Sequence, residues 1–137
     1  MQADVAGRRA RRLLGRLPCG KPGIQGDAMQ SPQFRKSVQA CEECAAACDH
    51  CAAMCLADNP QSMQSCIRFD LECAAVCRTA ARLVARGGMF SIAACRLCAL
   101  ACDACARECA SFAAQHCQSC ANACLACAQA CRHMDPA

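Results

Sequence analysis

Cysteine is the residue type of this chain that could do chemistry, because 19 of its 137 residues are cysteines and most of them recur at regular intervals. Fifteen form three sets of five, each with the pattern CxxCxxxCxxCxxxC, and three more follow the same phase in a fourth segment, where Asp70 takes the intervening position. The 18 regularly spaced cysteines are Cys41, Cys44, Cys48, Cys51, Cys55, Cys66, Cys73, Cys77, Cys95, Cys98, Cys102, Cys105, Cys109, Cys117, Cys120, Cys124, Cys127 and Cys131. Thiolates in this number are ligands for soft metal ions, so the pattern predicts metal binding through sulfur.

Steps of three and four residues are those of the a and d positions of a heptad repeat. On an α-helix they place all the sulfurs of one segment along a single stripe. The sequence therefore predicts helices whose cysteine stripes face one another where an ordinary bundle keeps Leu and Ile. Cysteine can also act as a small buried hydrophobe. A core of bare thiols would pack thinly, however, so we expect metal ions to fill it.

Helix signals mark where these segments begin and end. Ser31-Pro32 predicts the start of a first helix that runs to about Ala57, with Ser31 as the N-cap. Asn59-Pro60 predicts the start of the second helix in the same way, and Gly87-Gly88 ends that helix after about Arg86.

The third helix is predicted to begin between Met89 and Ser91, and the fourth to end near Met134. No Gly or Pro separates them, but the eight-residue step from Cys109 to Cys117 breaks the pattern, so we predict a tight turn over residues 113–116. Short connections make neighbouring helices antiparallel. The predicted fold is all-α: an antiparallel up-down-up-down four-helix bundle with a flexible N-terminal tail.

Residues 1–30 hold five of the seven glycines and little apolar periodicity, which predicts a flexible basic tail before a Cys-rich bundle over residues 31–137. The net charge of +4 belongs to this tail, because Lys and Arg balance Asp and Glu over residues 29–137. A neutral bundle has no basic face, so we expect no nucleic-acid partner. Cys19 lies in the tail, outside the cysteine pattern, and Met29 is a candidate natural start.

Arginine pairs at residues 8–9 and 11–12 are typical of twin-arginine export signals, but the apolar stretch that such a signal requires does not follow them. No run is long and apolar enough to span a membrane. We therefore predict a cytoplasmic protein with no membrane partner. Disulfides are rare in reducing compartments, which favours metal ligation for this many thiols.

The cysteine pattern also discriminates between metals. Structural zinc draws four ligands to one closed site, and iron–sulfur ferredoxins use compact loop spacings, whereas four facing stripes form a continuous sulfur-lined tube. Cu(I) is soft and prefers thiolate ligands. If each sulfur bridges two ions and each ion takes two sulfurs, the capacity is about one Cu(I) per core cysteine.

The spacing resembles that of the copper storage proteins, and in particular their cytosolic branch. The stretch CIRFDLEC over residues 66–73 is similar to the second-helix motif of that family, and HCQSC over residues 116–120 is similar to the start of its fourth helix. The resemblance covers about residues 31–134. It implies a four-helix bundle that holds Cu(I) ions inside, and assembly into homotetramers.

Antiparallel helices bring together the ends of the first and third helices and the starts of the second and fourth. Candidate accessory residues gather there: Met54, Asp58, Met63, Phe112 and His116. The opposite end collects an apolar plug with no extra donor: Leu83, Val84, Met89, Phe90 and Ile92. We expect copper to enter at the first end, where related proteins similarly carry His or Met.

Individual side chains at these positions have alternative roles. Met63 either fills a gap in the core or binds metal, and His116 either caps the fourth helix or is a ligand. Asp70, as a carboxylate on the seam, either meets an Arg or touches metal. His50 is predicted to be solvated, and His133 is predicted to be either a cation at the C-terminal end of the fourth helix or an exposed group.

Three functions compete. The first is storage and buffering of many Cu(I) ions without catalysis, with an unidentified copper donor or acceptor. The second is a metallothionein-like sink for zinc or cadmium. The third, a thiol oxidoreductase, expects a CxxC pair in a βαβ setting. No strand pattern exists here, so we predict that the protein is not an enzyme.

Overall fold

A computed structural model of the protein describes residues 31–134. The helices are α1 (Pro32–Asp58), α2 (Gln64–Arg86), α3 (Ser91–Ala110) and α4 (Gln115–Met134). The predicted tail over residues 1–30, with Cys19 and Met29, lies outside the described residues. Within residues 31–134 every regular element is an α-helix, so the all-α prediction is confirmed.

The four helices form a closed ring in which α1 contacts α2, α2 contacts α3, α3 contacts α4 and α4 contacts α1. Short connections reverse the chain between consecutive helices, as the cysteine pattern predicted. The up-down-up-down bundle is therefore confirmed. None of the four helices is long and apolar enough to cross a membrane.

The start of α2 differs from the prediction. Residues 60–63 form a turn, and the helix begins only at Gln64. Asn59 closes this turn, because its Oδ1 accepts from the Ser62 N–H at 3.3 Å and its carbonyl accepts from the Met63 N–H at 3.2 Å. The prediction of a helix from Pro60 was wrong, since Asn59 caps the turn and not the helix.

The link between α2 and α3 follows the prediction. Gly87 adopts the left-handed conformation with a φ of 62°, which glycine reaches without a steric penalty. Its N–H donates to the Val84 carbonyl at 3.0 Å and ends α2. Ser91 then begins α3, and its hydroxyl donates to the Leu83 and Gly88 carbonyls at 3.0 and 2.9 Å.

The turn between α3 and α4 covers residues 111–114, two residues earlier than predicted. Gln118 explains the shift, because its side-chain amide donates to the Phe112 carbonyl at 2.6 Å and to the Ala110 carbonyl at 3.2 Å. Carbonyls at the end of α3 thus find partners on α4. His116 consequently lies within the first turn of α4, and not in the connection.

Small residues line the contacts between helices. Each helix carries two buried alanines seven residues apart beside its seam: Ala45 and Ala52, Ala74 and Ala81, Ala99 and Ala106, and Ala121 and Ala128. Alanines at a helix contact allow neighbouring backbones to approach closely. The interior is therefore narrow, and its axis is lined by sulfur.

Candidate metal centre

All 18 regularly spaced cysteines point into the bundle as free thiols, and each is at most 1% exposed. The Sγ atoms of neighbouring helices lie 3.3–4.0 Å apart. These separations are well beyond the S–S bond of about 2.0 Å in a disulfide, and a single soft ion can bridge them. The predicted seam is thus present as a row of sulfur along the bundle axis.

The row begins at the end of the bundle where α1 and α3 start, which we call the Ser37 end. There the Cys41 Sγ lies 3.9 Å from Cys98 and 3.7 Å from both Cys127 and Cys131. These four thiols come from three helices. Their Sγ atoms all fall within 4.8 Å of one another, as the ligands of one metal cluster would.

Cysteines of all four helices meet in the middle of the row. Cys102 lies 3.8 Å from Cys44 and 3.6 Å from Cys77, and Cys124 lies 3.6 Å from Cys44 and 3.7 Å from Cys48. No thiol here has a single partner. The sulfurs form a lattice in which each can bridge ions on two sides.

The row ends where α2 and α4 start, which we call the His116 end. The Cys55 Sγ lies 3.7 Å from Cys117, and Cys51 lies 3.9 Å from Cys66. The shortest distance between two Sγ atoms of the described residues is the 3.3 Å between Cys66 and Cys109 at this end.

Groups of four thiols along this row share members. Cys44, Cys48, Cys124 and Cys127 each belong to two groups. Five of the groups are Cys41/Cys98/Cys127/Cys131, Cys44/Cys77/Cys102/Cys127, Cys44/Cys48/Cys73/Cys124, Cys48/Cys105/Cys120/Cys124 and Cys51/Cys55/Cys66/Cys117. The first four of these groups share ligands, and Cys109 connects the fifth to them, because its Sγ lies 3.3 Å from Cys66 and 3.9 Å from Cys105. This continuity distinguishes the row from isolated tetrahedral sites.

Asp70 is completely buried among these thiols. Its Oδ1 accepts hydrogen bonds from Cys120 at 3.2 Å and from Cys105 and Cys109 at 3.3 Å each. Its Oδ2 accepts from Cys66 at 3.7 Å. These contacts of the carboxylate are therefore all with thiols. Burial raises the pKa of the carboxyl from 3.8 to about 7.

Burial also holds three thiols at the His116 end in their neutral form when no metal is bound. Desolvation raises the pKa of the Cys55 thiol to about 11 and raises the pKa of the Cys51 and Cys66 thiols above the ordinary 9.0. A metal ion must therefore displace the proton of each thiol that it binds.

Charge balance in this interior favours a monovalent ion. One Cu(I) that replaces one thiol proton leaves the buried core neutral, so a row filled at one ion per thiol carries no net charge. A divalent zinc ion bound by four thiolates leaves two negative charges uncompensated at each site, and buried charge without a partner is costly. The donor set thus fits Cu(I) better than zinc.

His116 lies between the thiol row and solvent. Its side chain is 8% exposed, and its Nε2 is 3.4 Å from the Cys55 Sγ and 3.9 Å from an oxygen of the exposed Asp58 carboxylate. Met63 is 8% exposed at the same end. His116 thus lies beside Cys55 and Asp58 as predicted, and Met63 is buried at the same end, whereas Met54 is 38% exposed.

The Ser37 end departs from the predicted apolar plug. Met89 and Phe90 are 66% and 60% exposed, so they do not close the bundle, whereas Val84 is completely buried. Sequence reasoning missed the buried Ser37 and Met134 at this end. The signal was available, because Met134 follows Cys131 by three residues and so continues the cysteine seam of α4.

The two helical hairpins are related by an internal repeat. A shift of 54 residues takes Cys41 to Cys95 and Cys66 to Cys120. It also relates two surface ion pairs, Asp49 with Arg78 and Asp103 with Arg132, each of which joins the helices of one hairpin.

The same shift takes Met63 to Cys117 and Asp70 to Cys124. The first hairpin therefore carries Met63 and Asp70 at the two seam positions where the second has cysteine. The repeat therefore assigns both residues to positions that hold thiols in the second hairpin. This relationship can be recognised from the sequence alone.

An antiparallel four-helix bundle with overlapping groups of buried thiols along its axis defines a sulfur-based metal-binding protein. The sequence profile of the copper storage proteins, Csp, matches residues 30–136. The chain therefore belongs to the copper storage protein family. The predictions of this family and of Cu(I) storage are confirmed, and nothing supports the zinc or cadmium alternative.

Solved structures from two bacteria resemble the chain. The Cu(I)-bound copper storage protein BsCsp3 of Bacillus subtilis is 40% identical, with a TM-score of 0.72 over 74% of this chain and 97% of that one. The Streptomyces lividans protein Ccsp loaded with 10 copper equivalents is 34% identical, with a TM-score of 0.71 over 90% of this chain and 95% of that one. A cytosolic copper storage protein from Streptomyces lividans with five coppers is also 34% identical, with a TM-score of 0.73 over 80% and 95%. No curated protein sequence matches significantly.

Proposed function

We propose that this protein stores many Cu(I) ions as thiolates along the axis of its bundle and buffers copper without catalysing a reaction. The observation that carries the proposal is the row of overlapping groups of four buried thiols. Sharing of sulfurs between groups allows ions to fill the row one after another. Each ion displaces a proton, so a full store stays neutral.

The ligands that we propose are the 18 core cysteines together with Asp70, His116 and Met63. Asp70 is within 3.3 Å of three thiols, so an ion bound to those thiols also meets a carboxylate oxygen. His116 offers an imidazole nitrogen 3.4 Å from the Cys55 Sγ. Two observations support Met63 as a ligand: its side chain is buried, and the internal repeat relates its position to that of Cys117.

Copper enters this store at the His116 end. An incoming ion passes the exposed Asp58 carboxylate, binds the His116 imidazole and moves to the Cys55 thiol, which lies within 3.4 Å of that imidazole. A neutral imidazole binds Cu(I) less strongly than a thiolate does, so transfer proceeds inward.

We further infer a cytoplasmic location and a homotetramer with no nucleic-acid or membrane partner. A reducing compartment keeps 18 thiols free, and the similar protein from Streptomyces lividans is a cytosolic one. Association of copies is supported by apolar residues exposed on α3, with Leu97 56% and Leu100 68% exposed. The division of the chain into a tail over residues 1–30 and a bundle over residues 31–137 stays a prediction, which limited proteolysis tests.

The metal content of the protein from copper-fed cells tests the proposed function. Protein purified anaerobically should contain copper close to the number of core cysteines, because each buried thiolate needs one monovalent partner. X-ray absorption at the copper edge should show the Cu(I) state with sulfur ligands. A zinc content near a quarter to a third of the cysteine count, with little copper, would overturn copper storage.

A further inference from the structure

The Ser37 end of the bundle holds a sulfur donor that the thiol groups do not include. Met134 ends α4, is 7% exposed and belongs to the buried core. It continues the cysteine stripe, because Cys127, Cys131 and Met134 follow one another at steps of four and three residues. Long side chains on a helix lean toward the preceding turn, so the thioether of Met134 is directed back toward Cys131.

The thiols beneath Met134 are the last of the row. Cys131 lies 3.7 Å from Cys41 and also neighbours Cys95, the first cysteine of α3. Both Cys95 and Cys131 are at most 1% exposed. Cys95 and Cys131 are the outermost cysteines of their stripes at this end, so an ion that they bind meets thiolate sulfur from one side only.

The remaining seam residues at this level provide no soft donor. Ser37 and Ser91 hold the positions that precede Cys41 and Cys95 on their stripes, and the same shift of 54 residues relates the two serines. Their hydroxyls donate to the Ala130 and Leu83 carbonyls at 3.2 and 3.0 Å. Hydroxyl oxygens are hard donors, and these two also fasten neighbouring helices together.

On α2 this level carries only hydrocarbon. Ala80 occupies the position that the repeat relates to Met134, and Val84 follows it on the stripe; both are at most 1% exposed. Among the buried seam residues of this level, only Met134 carries a soft donor atom.

We propose that Met134 supplies a thioether ligand to a terminal Cu(I) ion that the thiolates of Cys95 and Cys131 hold at the Ser37 end. The proposal rests on the proposed storage function. A thioether adds a soft donor without adding charge, which suits an ion whose outer neighbours are Ala80 and Val84. The row of metal ions then ends in a neutral thioether sulfur at the Ser37 end, whereas the imidazole of His116 lies at the opposite end.

Selenomethionine labelling with selenium-edge X-ray absorption tests the proposal. The labelled M54L/M63L protein, fully loaded with Cu(I) under anaerobic conditions, keeps Met134 while it lacks the two methionines of the His116 end. We expect a copper neighbour at bonding distance from selenium. In the matched M54L/M63L/M134L protein, this selenium–copper contribution should disappear, because the methionines common to both variants cancel in the comparison.

The outcomes separate this proposal from the storage function. A full copper load in the M54L/M63L protein without a selenium–copper contribution would show that Met134 is an apolar cap and would overturn the proposal alone. Failure of the parent protein to bind copper at all would overturn the storage function. Leucine conserves the volume of methionine, and circular dichroism checks that both variants keep the helical fold.

A second measurement follows the affinity of the terminal ion. The M134L substitution should lower the affinity for the most weakly retained ion by about tenfold, as measured against a competing chelator. A loss of this size is within the range expected when a metal site loses a supporting partner. M54L is the matched control, because Met54 is 38% exposed and lies at the other end. Equal retention in M134L and M54L would contradict a ligand role for Met134.

Discussion

The Cys120 thiol donates a hydrogen bond to Oδ1 of Asp70 across 3.2 Å, inside a core in which nearly every other seam side chain on this level is a thiol. Cys105 and Cys109 also donate to the same oxygen, so Asp70 accepts hydrogen bonds from several thiols at once. Burial, and not an ion pair, controls the charge of this carboxyl. Two of the predictions below depend on that arrangement.

The stability of the metal-free protein should fall as the pH rises from 4 to 7. The pKa of the Asp70 carboxyl is raised from 3.8 to about 7, so the folded protein holds its proton more tightly than the unfolded chain does. The stability that this proton contributes is fully present below pH 3.8 and is lost as the pH rises through 7. Linkage puts the loss at roughly 4 kcal/mol in the free energy of unfolding.

Urea unfolding of the reduced, metal-free protein measures this effect. The D70N variant, which cannot ionise at this position, should show an almost flat dependence over the same pH range. A D70N variant that loses as much stability between pH 4 and 7 as the parent protein would place the titrating group elsewhere.

Replacement of Asp70 by cysteine should extend the store. The internal repeat gives Asp70 the position of Cys124 in the second hairpin, so D70C completes a seam with one more thiolate. We expect anaerobic titration to find about one additional Cu(I) per chain. An unchanged capacity in a well-folded D70C variant would mean that this level of the core already binds its full complement through the carboxylate.

Removal of the His116 imidazole should slow copper loading but leave the final capacity unchanged. The Nε2 atom lies 3.4 Å from the Cys55 Sγ and is the first soft donor that an ion meets from solvent. We expect H116A to take up Cu(I) from a weak chelator about tenfold more slowly, as when a metal site loses an auxiliary partner. Stopped-flow spectroscopy of the thiolate-to-copper charge-transfer band measures the rate.

His50 provides the matched control for this experiment, because it is an exposed histidine on α1. H50A should load at the rate of the parent protein. If H50A and H116A slow loading equally, the His116 end is not the path by which copper enters.

Removal of a single cysteine from the middle of the row should change copper binding by more than the loss of one ligand. Cys124 belongs to two of the overlapping groups of four thiols, so C124A removes a bridge between them. We expect the C124A protein to lose at least one Cu(I) and to show two resolved phases in a chelator competition, because the row is interrupted. Cys19 lies outside the cysteine pattern, so C19S should keep both the capacity and the single phase of the parent protein.

The period of the cysteines was sufficient to predict the helices, their order and the row of sulfur. Steps of three and four residues impose one buried stripe per helix, and side chains on such stripes must meet if the helices form a closed bundle. The position of His116 near Cys55 followed from the same antiparallel geometry. These features depend on backbone periodicity, which the order of residues expresses directly.

Features that depend on hydrogen bonds between individual side chains and the backbone could not be predicted from the sequence. Asn59 and Gln118 each bind backbone groups of a connection, and this moved the start of α2 to Gln64 and the last turn to residues 111–114. The burial of Met134 and the exposure of Phe90 depend on how the helix ends pack. Apolar character alone does not distinguish between these two outcomes.

Anaerobic titration of the fully reduced protein with Cu(I), against a competing chelator of known affinity, tests the central claim most directly. The continuous row of 18 buried thiols predicts tight binding of about one Cu(I) per core cysteine, with one proton released for each ion. Saturation after only one or two ions would contradict a copper store.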